Sequence, residues 1–268
     1  MEINETASNV STQIKAEKTP TQPLERFYDQ TYSGFELSID EAGRGCLFGR
    51  VYIACVVLPK EPHLFCGKDI KDSKKFSSKK KINDVATYIK ENAFVWHVAY
   101  IEPAVIDEIN ILQAVMKGMH KCIHETMRKL QEKTKNAVTI NDCMAVVDGN
   151  YFTPVRMFDQ TAGCICEMPH VTVEKGDGKF MAIAAASILA KTERDAQVEQ
   201  MCQEYPILVE RYKFDTNMGY GTKAHLDGIT LHGITQWHRR TFGQACKTAE
   251  ITIIDNNANN KTIINDLK

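Results

Sequence analysis

Residues 51–58, V-Y-I-A-C-V-V-L, constrain the fold of this chain more than any other stretch. They are almost all apolar and many are β-branched, which is typical of a central strand, and Pro59 ends the run. Residues 35–40 alternate apolar and polar side chains, as a half-buried strand does, and residues 93–101 form a third such run. We therefore predict a three-stranded meander.

Helical and further strand patterns follow the meander. Pro103 begins a short helical segment, and a longer helix with apolar residues three or four positions apart comes next. Residues 143–147 and 170–174 predict two more strands, and residues 179–202 predict a helix whose small side chains allow close packing. This order predicts an α/β fold, with a mixed sheet and helices on its faces.

The composition suits one large domain with a tail at each end. Of 268 residues, 43% are hydrophobic and 25% are charged, within the usual range for globular proteins. Residues 1–33 are rich in Thr, Gln, Asn and Ser, and we expect a disordered N-terminal extension there. Residues 34–246 form the predicted folded domain, and the Asn- and Ile-rich residues 247–268 are expected to be an irregular tail.

One segment of the N-terminal extension allows two interpretations. Residues 21–28, T-Q-P-L-E-R-F-Y, loosely resemble the short peptides that dock on sliding clamps, but they lack the usual leading Gln. That difference favours the second interpretation, in which Phe27 and Tyr28 pack against the folded domain.

The cysteines and the apolar runs indicate where the protein works. Its nine cysteines have no regular spacing, which fits free thiols in a reducing compartment. The pair Cys164 and Cys166 lacks a second pair at the spacing of a zinc site. No run approaches the roughly 18 apolar residues of a membrane span, and the N-terminus lacks the apolar segment of a secretory signal. We expect a soluble, cytoplasmic protein with no membrane partner.

Positive charge is concentrated in one segment. The formal net charge is −1, so the overall balance does not indicate a nucleic-acid partner. Residues 67–81 nevertheless carry seven lysines: Lys68, Lys71, Lys74, Lys75, Lys79, Lys80 and Lys81. Such a segment suits contacts with phosphates, although a solvated loop would account for most of these lysines equally well.

Two neighbouring carboxylates, Asp40 and Glu41, follow the first predicted strand. Neighbouring side chains on a regular strand point to opposite faces. The two carboxylates are therefore expected to converge only if the backbone leaves the strand directly after them. The Gly43-Arg44-Gly45 turn permits this, because glycine adopts conformations that other residues avoid. Without further acidic residues, a solvated Asp-Glu pair before a turn explains the pattern as well.

Two further acidic residues repeat this pattern. Asp148 and Asp177 each follow a predicted strand and precede a glycine. Four clustered carboxylates oppose one another's ionisation, so together they require cations. Ligands that are all oxygen suit Mg²⁺ or Mn²⁺, and two such ions form the usual clamp for in-line attack on a phosphodiester. The pattern predicts a metal-dependent phosphoryl-transfer enzyme.

Six motifs, in order, resemble the ribonuclease HII family and together cover residues 36–245. They are D-E-A-G-R-G-C-L-F-G from residue 40, D-S-K-K from 72, D-G-N from 148, K-G-D from 175 with the helix at 184–195, G-Y-G-T-K-A-H-L from 219 and H-R-R-T-F from 238. Two positions depart from the family pattern. Met218 stands where a basic residue is frequent, and Phe48 stands where a small residue is common.

The resemblance implies an RNase H-like fold, with a five-stranded mixed sheet flanked by helices and a C-terminal helical extension. It implies endonucleolytic cleavage of RNA paired with DNA, including nicking 5′ of single ribonucleotides in duplex DNA, by two Mg²⁺ or Mn²⁺ ions. The products would carry 3′-hydroxyl and 5′-phosphate ends. The family precedent is a monomer.

The resemblance also implies roles for particular residues. By the family pattern, Gly43, Arg44 and Gly45 recognise the ribose 2′-hydroxyl, the group that distinguishes RNA from DNA. Tyr220 stacks against the sugar, and Lys74 contacts a phosphate. The metal-binding catalytic residues are Asp40, Glu41, Asp148 and Asp177.

Two other functions remain open at this point. One is the related ribonuclease HIII type, which favours longer RNA stretches; Arg44 argues against it, since that type usually has threonine in the turn. The other is a non-catalytic protein that binds hybrid duplexes. The presence of all four carboxylates argues against this second alternative.

Overall fold

The computed structural model describes residues 23–160, 162–255 and 261–263. Its strands are β1 (Phe35–Ala42), β2 (Val51–Val57), β3 (Val95–Ile101), β4 (Cys143–Asp148), β5 (Arg156–Asp159), β6 (Cys164–Glu167), β7 (His170–Val173), β8 (Ile234–Thr235), β9 (Ile251–Ile253) and β10 (Lys261–Ile263). Its α-helices are α1 (Lys79–Asn92), α2 (Pro103–Lys133), α3 (Met181–Glu204), α4 (Ile207–Tyr212), α5 (Phe214–Asn217), α6 (Lys223–His232) and α7 (Gly243–Thr248).

Five strands form the central sheet, in the order β3-β2-β1-β4-β7. The first three along the chain form an antiparallel meander, whereas β4 runs parallel to both β1 and β7. Every residue of β2 is buried, as its apolar sequence requires. The predicted five-stranded mixed sheet is confirmed.

Helices cover both faces of this sheet. On one face, α2 packs through Val115, Met119 and Ile123. On the other, α1 and α3 pack together, and buried residues such as Ala185 and Ile188 of α3 lie against the strands. Burying one large aliphatic side chain contributes roughly 1.5–3 kcal/mol. The alanines add little area, but they let α3 lie close to β1 and β2, beneath the acidic residues.

Helix α2 contains a break that the sequence predicts. The backbone of Asn110 is left-handed, with φ of 67°, and its side-chain Oδ1 accepts a hydrogen bond from the Gln113 N–H at 3.1 Å. Asn110 therefore caps the second part of the helix, as short polar side chains do. The predicted short segment followed by a longer helix is confirmed.

A C-terminal extension of α4 to α7 packs around its own apolar cluster. At its centre, the Phe48 and Phe214 rings lie 4.1 Å apart between centroids, so the bulky residue at position 48 joins the extension to the sheet. Beyond residue 246, α7 continues to Thr248, and β9 pairs in parallel with β8. The prediction of an irregular tail is wrong there, because the β-branched residues of β9 find a partner strand and Ile251 is buried.

The segment before β1 is folded onto the domain. Glu25 forms a β-bridge with Phe180, Phe27 is buried, and the Tyr28 ring packs edge-on against Phe180, with 5.6 Å between centroids. The interpretation that Phe27 and Tyr28 pack against the domain is confirmed, and the domain begins before the predicted boundary at residue 34. The rest of the predicted extension, residues 1–22, lies outside the described residues.

Candidate active site

Two of the four acidic residues come from adjacent parallel strands. The register of β1 and β4 pairs Ile39 with Val147, so Asp40 and Asp148 follow at the same level at the carboxyl ends of both strands. Asp40 is only 5% exposed. Its Oδ1 accepts the backbone N–H of Glu41 at 2.7 Å, which fixes the carboxylate next to its neighbour. The predicted position of Asp148 at a strand end is confirmed.

The sequence pattern predicted that Asp177 directly follows a strand, and this prediction is wrong. Strand β7 ends at Val173, and Asp177 lies in a short 3₁₀ turn, Gly176–Gly178. The N–H of Gly176 donates to Asp148 Oδ1 at 2.6 Å, and a β-carbon at Gly176 would lie 2.5 Å from the Ile183 side chain. The hydrogen bond between Gly176 and Asp148, which are far apart in sequence, brings Asp177 to the site.

Strand β1 continues past the two carboxylates. Glu41 pairs with Ile53 and Ala42 with Tyr52, so the expectation that the backbone leaves the strand directly after Glu41 is wrong. The left-handed backbone comes at Gly43, with φ of 87°. The chain turns there, and both carboxylates nevertheless line one cavity.

That cavity, of about 280 Å³, is lined by every residue that the sequence predicted to bind metal or substrate. Its lining includes the four carboxylates, the turn, the predicted phosphate contact and the exposed tyrosine: Asp40, Glu41, Gly43, Arg44, Gly45, Lys74, Asp148, Asp177 and Tyr220. Sequence reasoning did not assign a role to four other lining residues, Ser73, Ser187, Lys191 and Arg194. All four belong to motifs that resemble the family, and this could have marked them as candidate site residues.

Burial and mutual repulsion perturb the carboxylates. Burial, and then the charges of Asp148 and Glu41, raise the pKa of Asp40 well above its ordinary value. Burial raises the pKa of Asp148, and the Asp177 charge adds to this rise. Burial also raises the pKa of Glu41, although the Arg44 guanidinium opposes the rise. Three acidic groups thus resist ionisation in one small volume, which is the electrostatic condition that a bound cation relieves.

Two basic side chains lie against this acidic group. Lys74 Nζ is 3.5 Å from Asp177 Oδ2, with the lysine side chain 79% exposed. Arg44 Nη1 is 3.4 Å from Glu41 Oε1. In both pairs the basic side chain is exposed, whereas the carboxylates of Asp177 and Glu41 are only 10% and 14% exposed. The ammonium and guanidinium groups therefore have the solvent access needed to turn towards another anion.

The donor set fits a divalent cation that keeps part of its water shell. Within the described part of the chain, no three His, Cys, Asp or Glu side chains converge tightly enough to form a complete metal site. The carboxylates around the cavity offer oxygen ligands, and Mg²⁺ is usually held by one or two carboxylates, with waters and substrate phosphates completing the octahedron. An incomplete oxygen cage is therefore the arrangement expected of such a site.

The C-terminal motifs also contain two buried histidines with a structural role. His225 Nε2 and His238 Nε2 lie 3.0 Å apart, and His225 Nδ1 lies 2.9 Å from the Tyr220 carbonyl. Burial lowers the pKa of both rings, so each is neutral. His225 is thus a packed, hydrogen-bonded histidine and does not line the cavity.

Arg239, in the motif H-R-R-T-F, binds neither a phosphate nor an acidic side chain in the described structure. Its side chain is fully buried, and its Nη1 and Nε donate to the carbonyls of Arg44 and Gly49, each at 3.0 Å. The Gly43–Gly45 turn is thus anchored to the rest of the domain by a buried arginine.

The five-stranded RNase H-like sheet and the acidic groups near the ends of its central strands place this chain among metal-dependent nucleases. Comparisons with known proteins identify the family more narrowly. A profile of the family described as "Ribonuclease HII" matches residues 37–245. A ribonuclease HII from Parabacteroides distasonis is 41% identical over 207 residues, which cover 77% of this chain and 89% of that protein. The chain belongs to the ribonuclease HII family, metal-dependent endonucleases that cleave RNA in RNA–DNA hybrids.

Solved structures share the fold. Ribonuclease HII of Archaeoglobus fulgidus, solved in complex with PCNA, has a TM-score of 0.55 and 24% identity over 78% of this chain and 95% of that one. A ribonuclease HIII solved in complex with Mn²⁺ has a TM-score of 0.52 and 17% identity, over 89% of this chain and 71% of that one. At these identities the likeness concerns the fold alone. Among the residues with described structure, no helix has the length and apolar character needed to cross a membrane.

Proposed function

We propose that this chain cleaves the RNA strand of RNA–DNA hybrids and also nicks duplex DNA immediately 5′ of a single embedded ribonucleotide. The products would carry 3′-hydroxyl and 5′-phosphate ends. The observation that supports this proposal is the single cavity in which the acidic residues adjoin the Gly43–Gly45 turn. One substrate sugar and the adjoining phosphate can reach both sides of such a cavity together.

In this proposal the ligands of two Mg²⁺ or Mn²⁺ ions are Asp40, Glu41, Asp148 and Asp177. When bound, such ions supply a nucleophilic hydroxide and stabilise the leaving oxygen. The chain's own part is to hold the carboxylates in fixed positions. The contacts that support this role are the 2.7 Å hydrogen bond to Asp40 and the 2.6 Å hydrogen bond to Asp148.

Sugar and phosphate recognition is proposed for the rest of the cavity wall. Main-chain groups of Gly43, Arg44 and Gly45 would bind the 2′-hydroxyl, since glycines let the backbone approach a ligand closely. Tyr220 would stack on the neighbouring sugar; its side chain is 44% exposed. Lys74 would exchange its contact with Asp177 for a contact with a substrate phosphate, whose negative charge it would neutralise.

The proposal is tested with a labelled DNA duplex that contains one ribonucleotide. Purified protein with Mg²⁺ or Mn²⁺ should produce a nick on the 5′ side of that nucleotide, and end mapping should find the 3′-hydroxyl and 5′-phosphate. An intact strand in both metals would refute the proposal. A second duplex with four consecutive ribonucleotides separates the alternatives, because cleavage of this substrate alone would indicate ribonuclease HIII-like specificity.

The remaining expectations stay predictions. A clamp-binding role for residues 21–28 conflicts with the burial of Phe27, and PCNA binding belongs to the Archaeoglobus protein. A pull-down would test clamp binding. Cell fractionation would test the expected cytoplasmic location, and light scattering would test the expected monomeric state.

A further inference from the structure

Two parts of the cavity wall meet on one buried side chain, that of Arg194 in α3. One part is the Gly43–Gly45 turn, and the other is the loop that carries Tyr220. Arg194 lines the cavity but is only 1% exposed. The proposed chemistry leaves this arginine without a role, although a buried charge is costly unless it is paired.

Arg194 lies directly beneath the turn. A β-carbon added at Gly43 would lie 2.8 Å from Arg194 Nε and 2.9 Å from its Cδ, closer than side chains tolerate. These distances show that the turn backbone rests on the arginine side chain. Gly43 is also left-handed, with φ of 87°, a conformation that favours glycine for a separate reason.

The same guanidinium group reaches the tyrosine loop. Its Cζ lies 4.9 Å from the centre of the Tyr220 ring, within the range of a cation–π contact. Its Nη2 donates to the carbonyl of Met218, two residues before the tyrosine, and its Nη1 pairs with Asp195 at 2.9 Å. A planar fork with a flat face is needed for these simultaneous contacts, and lysine lacks both features.

Other groups hold each part of the wall in place. The Cys46 thiol lies close enough to the Tyr220 side chain to perturb its pKa, and His225 binds the Tyr220 carbonyl. Arg239 binds the carbonyl of Arg44 at 3.0 Å. With the turn and the ring each held, their spacing depends on the side chain packed between them.

We propose that Arg194 is a positioning residue for sugar recognition, which sets the distance between the Gly43–Gly45 turn and the Tyr220 ring. This inference rests on the proposed function, since it assigns that cavity to a ribose. A misplacement of about 1 Å caused by a residue away from the chemistry can cost about 100-fold in rate. A change at Arg194 therefore acts on kcat through the placement of the sugar.

The first test is the variant Arg194→Lys, which keeps the charge and the aliphatic stem. We expect kcat for nicking the single-ribonucleotide duplex to fall by about 10- to 100-fold, with KM and Mn²⁺ affinity close to wild type. The unfolding temperature should fall, because the Met218 carbonyl loses its donor. The matched control is Arg128→Lys on α2, because Arg128 is an exposed helical arginine paired only with neighbouring glutamates. It should leave every value unchanged.

The second test separates sugar positioning from a general structural effect. The same proteins are assayed on a duplex in which fluorine replaces the 2′-hydroxyl. If Arg194 acts through the sugar, the rate lost by substituting Arg194 and the rate lost by removing the 2′-hydroxyl are the same loss. Arg194→Lys and wild type should then nick the fluorinated duplex at similar rates. An equal fold-loss on both substrates would overturn the inference. A wild-type enzyme that does not distinguish the two duplexes would instead refute the proposed 2′-hydroxyl recognition.

If Arg194→Lys does not fold, the variant Gly43→Ala tests the same contact from the turn side. Its β-carbon would push against the guanidinium and leave the buried charge pair intact. The same overlap of losses on the hydroxyl and fluorine substrates supports the inference, and additive losses overturn it.

Discussion

Replacing Asp40 by asparagine is expected to stabilise the protein in the absence of metal while removing its activity. Burial and the neighbouring Asp148 and Glu41 charges raise the pKa of Asp40 well above its ordinary value. At neutral pH the ionised carboxylate therefore opposes folding. Asparagine removes this charge, and its Oδ1 can still accept the Glu41 N–H that now lies 2.7 Å away.

The size of the effect follows from these contacts. Each unit by which folding raises a carboxyl pKa costs about 1.4 kcal/mol at neutral pH. The Ser187 side chain opposes this rise, and losing such a polar interaction costs about 1 kcal/mol. We expect the gain from removing the charge to exceed this loss, and each kcal/mol of net gain should raise the unfolding temperature by about 2–4 °C in a domain of this size.

The gain should depend on pH. The raised pKa means that the wild-type carboxyl contributes stability below about pH 4 and loses it as pH rises through the folded-state pKa. The advantage of Asp40→Asn is therefore expected at neutral pH and should disappear as the pH falls towards about 4. Thermal melts in EDTA across this range measure it.

Added metal should reverse the order. A ligand that binds only the folded protein stabilises it by mass action, so Mg²⁺ or Mn²⁺ should raise the melting temperature of wild type more than that of Asp40→Asn. The matched control is Glu36→Gln on the same strand. Glu36 is also buried with a raised pKa, but its carboxylate binds the backbone of Tyr28 and Asp29, so its response to metal should equal that of wild type. Destabilisation of Asp40→Asn in EDTA, or an undiminished metal response, would refute the reasoning.

Three further predictions concern residues around the cavity. Asp148→Asn should abolish nicking while circular dichroism and melting stay those of a folded protein; full activity with unchanged melting would mean that the metal site lies elsewhere. Lys74→Met should tighten Mn²⁺ binding in an electron paramagnetic resonance titration, because the ammonium 3.5 Å from Asp177 competes with the cation; an unchanged affinity would contradict this. Arg239→Met should cost about 2–5 kcal/mol in denaturant unfolding, because the buried Gly49 carbonyl and the partly buried Arg44 carbonyl lose their donors. The exposed neighbour gives the control Arg240→Met, expected within about 0.5 kcal/mol of wild type, and equal losses would contradict the assignment.

The sequence was sufficient to predict where the acidic residues gather, because strand ends can be read from local patterns. The carboxyl ends of parallel strands meet at one sheet edge, and Asp40 and Asp148 follow this rule. Asp177 reaches the same cavity by another route, through a turn held by the Gly176 contact to Asp148. That contact joins residues 28 positions apart, and no pattern within one segment predicts it.

Burial of charge was beyond prediction from the sequence for a related reason. Arg194 and Arg239 are strongly polar residues, which lie at the surface in most proteins, and their partners are mostly main-chain carbonyls. Every residue has a carbonyl, so the sequence does not mark which ones will bind an arginine. The tail after residue 246 presents the same difficulty, since β9 forms by pairing with β8 on one side and with β10 on the other.

The position of the turn on β1 links recognition to catalysis. Because β1 stays paired with β2 through Ala42, the proposed metal ligands and the start of the turn belong to one continuous strand. A shift of the turn must therefore displace either the strand or the buried arginines beneath it, and each is held by several hydrogen bonds. The carboxylates on β1 are held in place by its pairing with β2 and β4, whereas Arg194 contacts the turn and the Tyr220 loop. We therefore expect changes at Arg194 to displace the turn and lower kcat while metal affinity stays close to wild type.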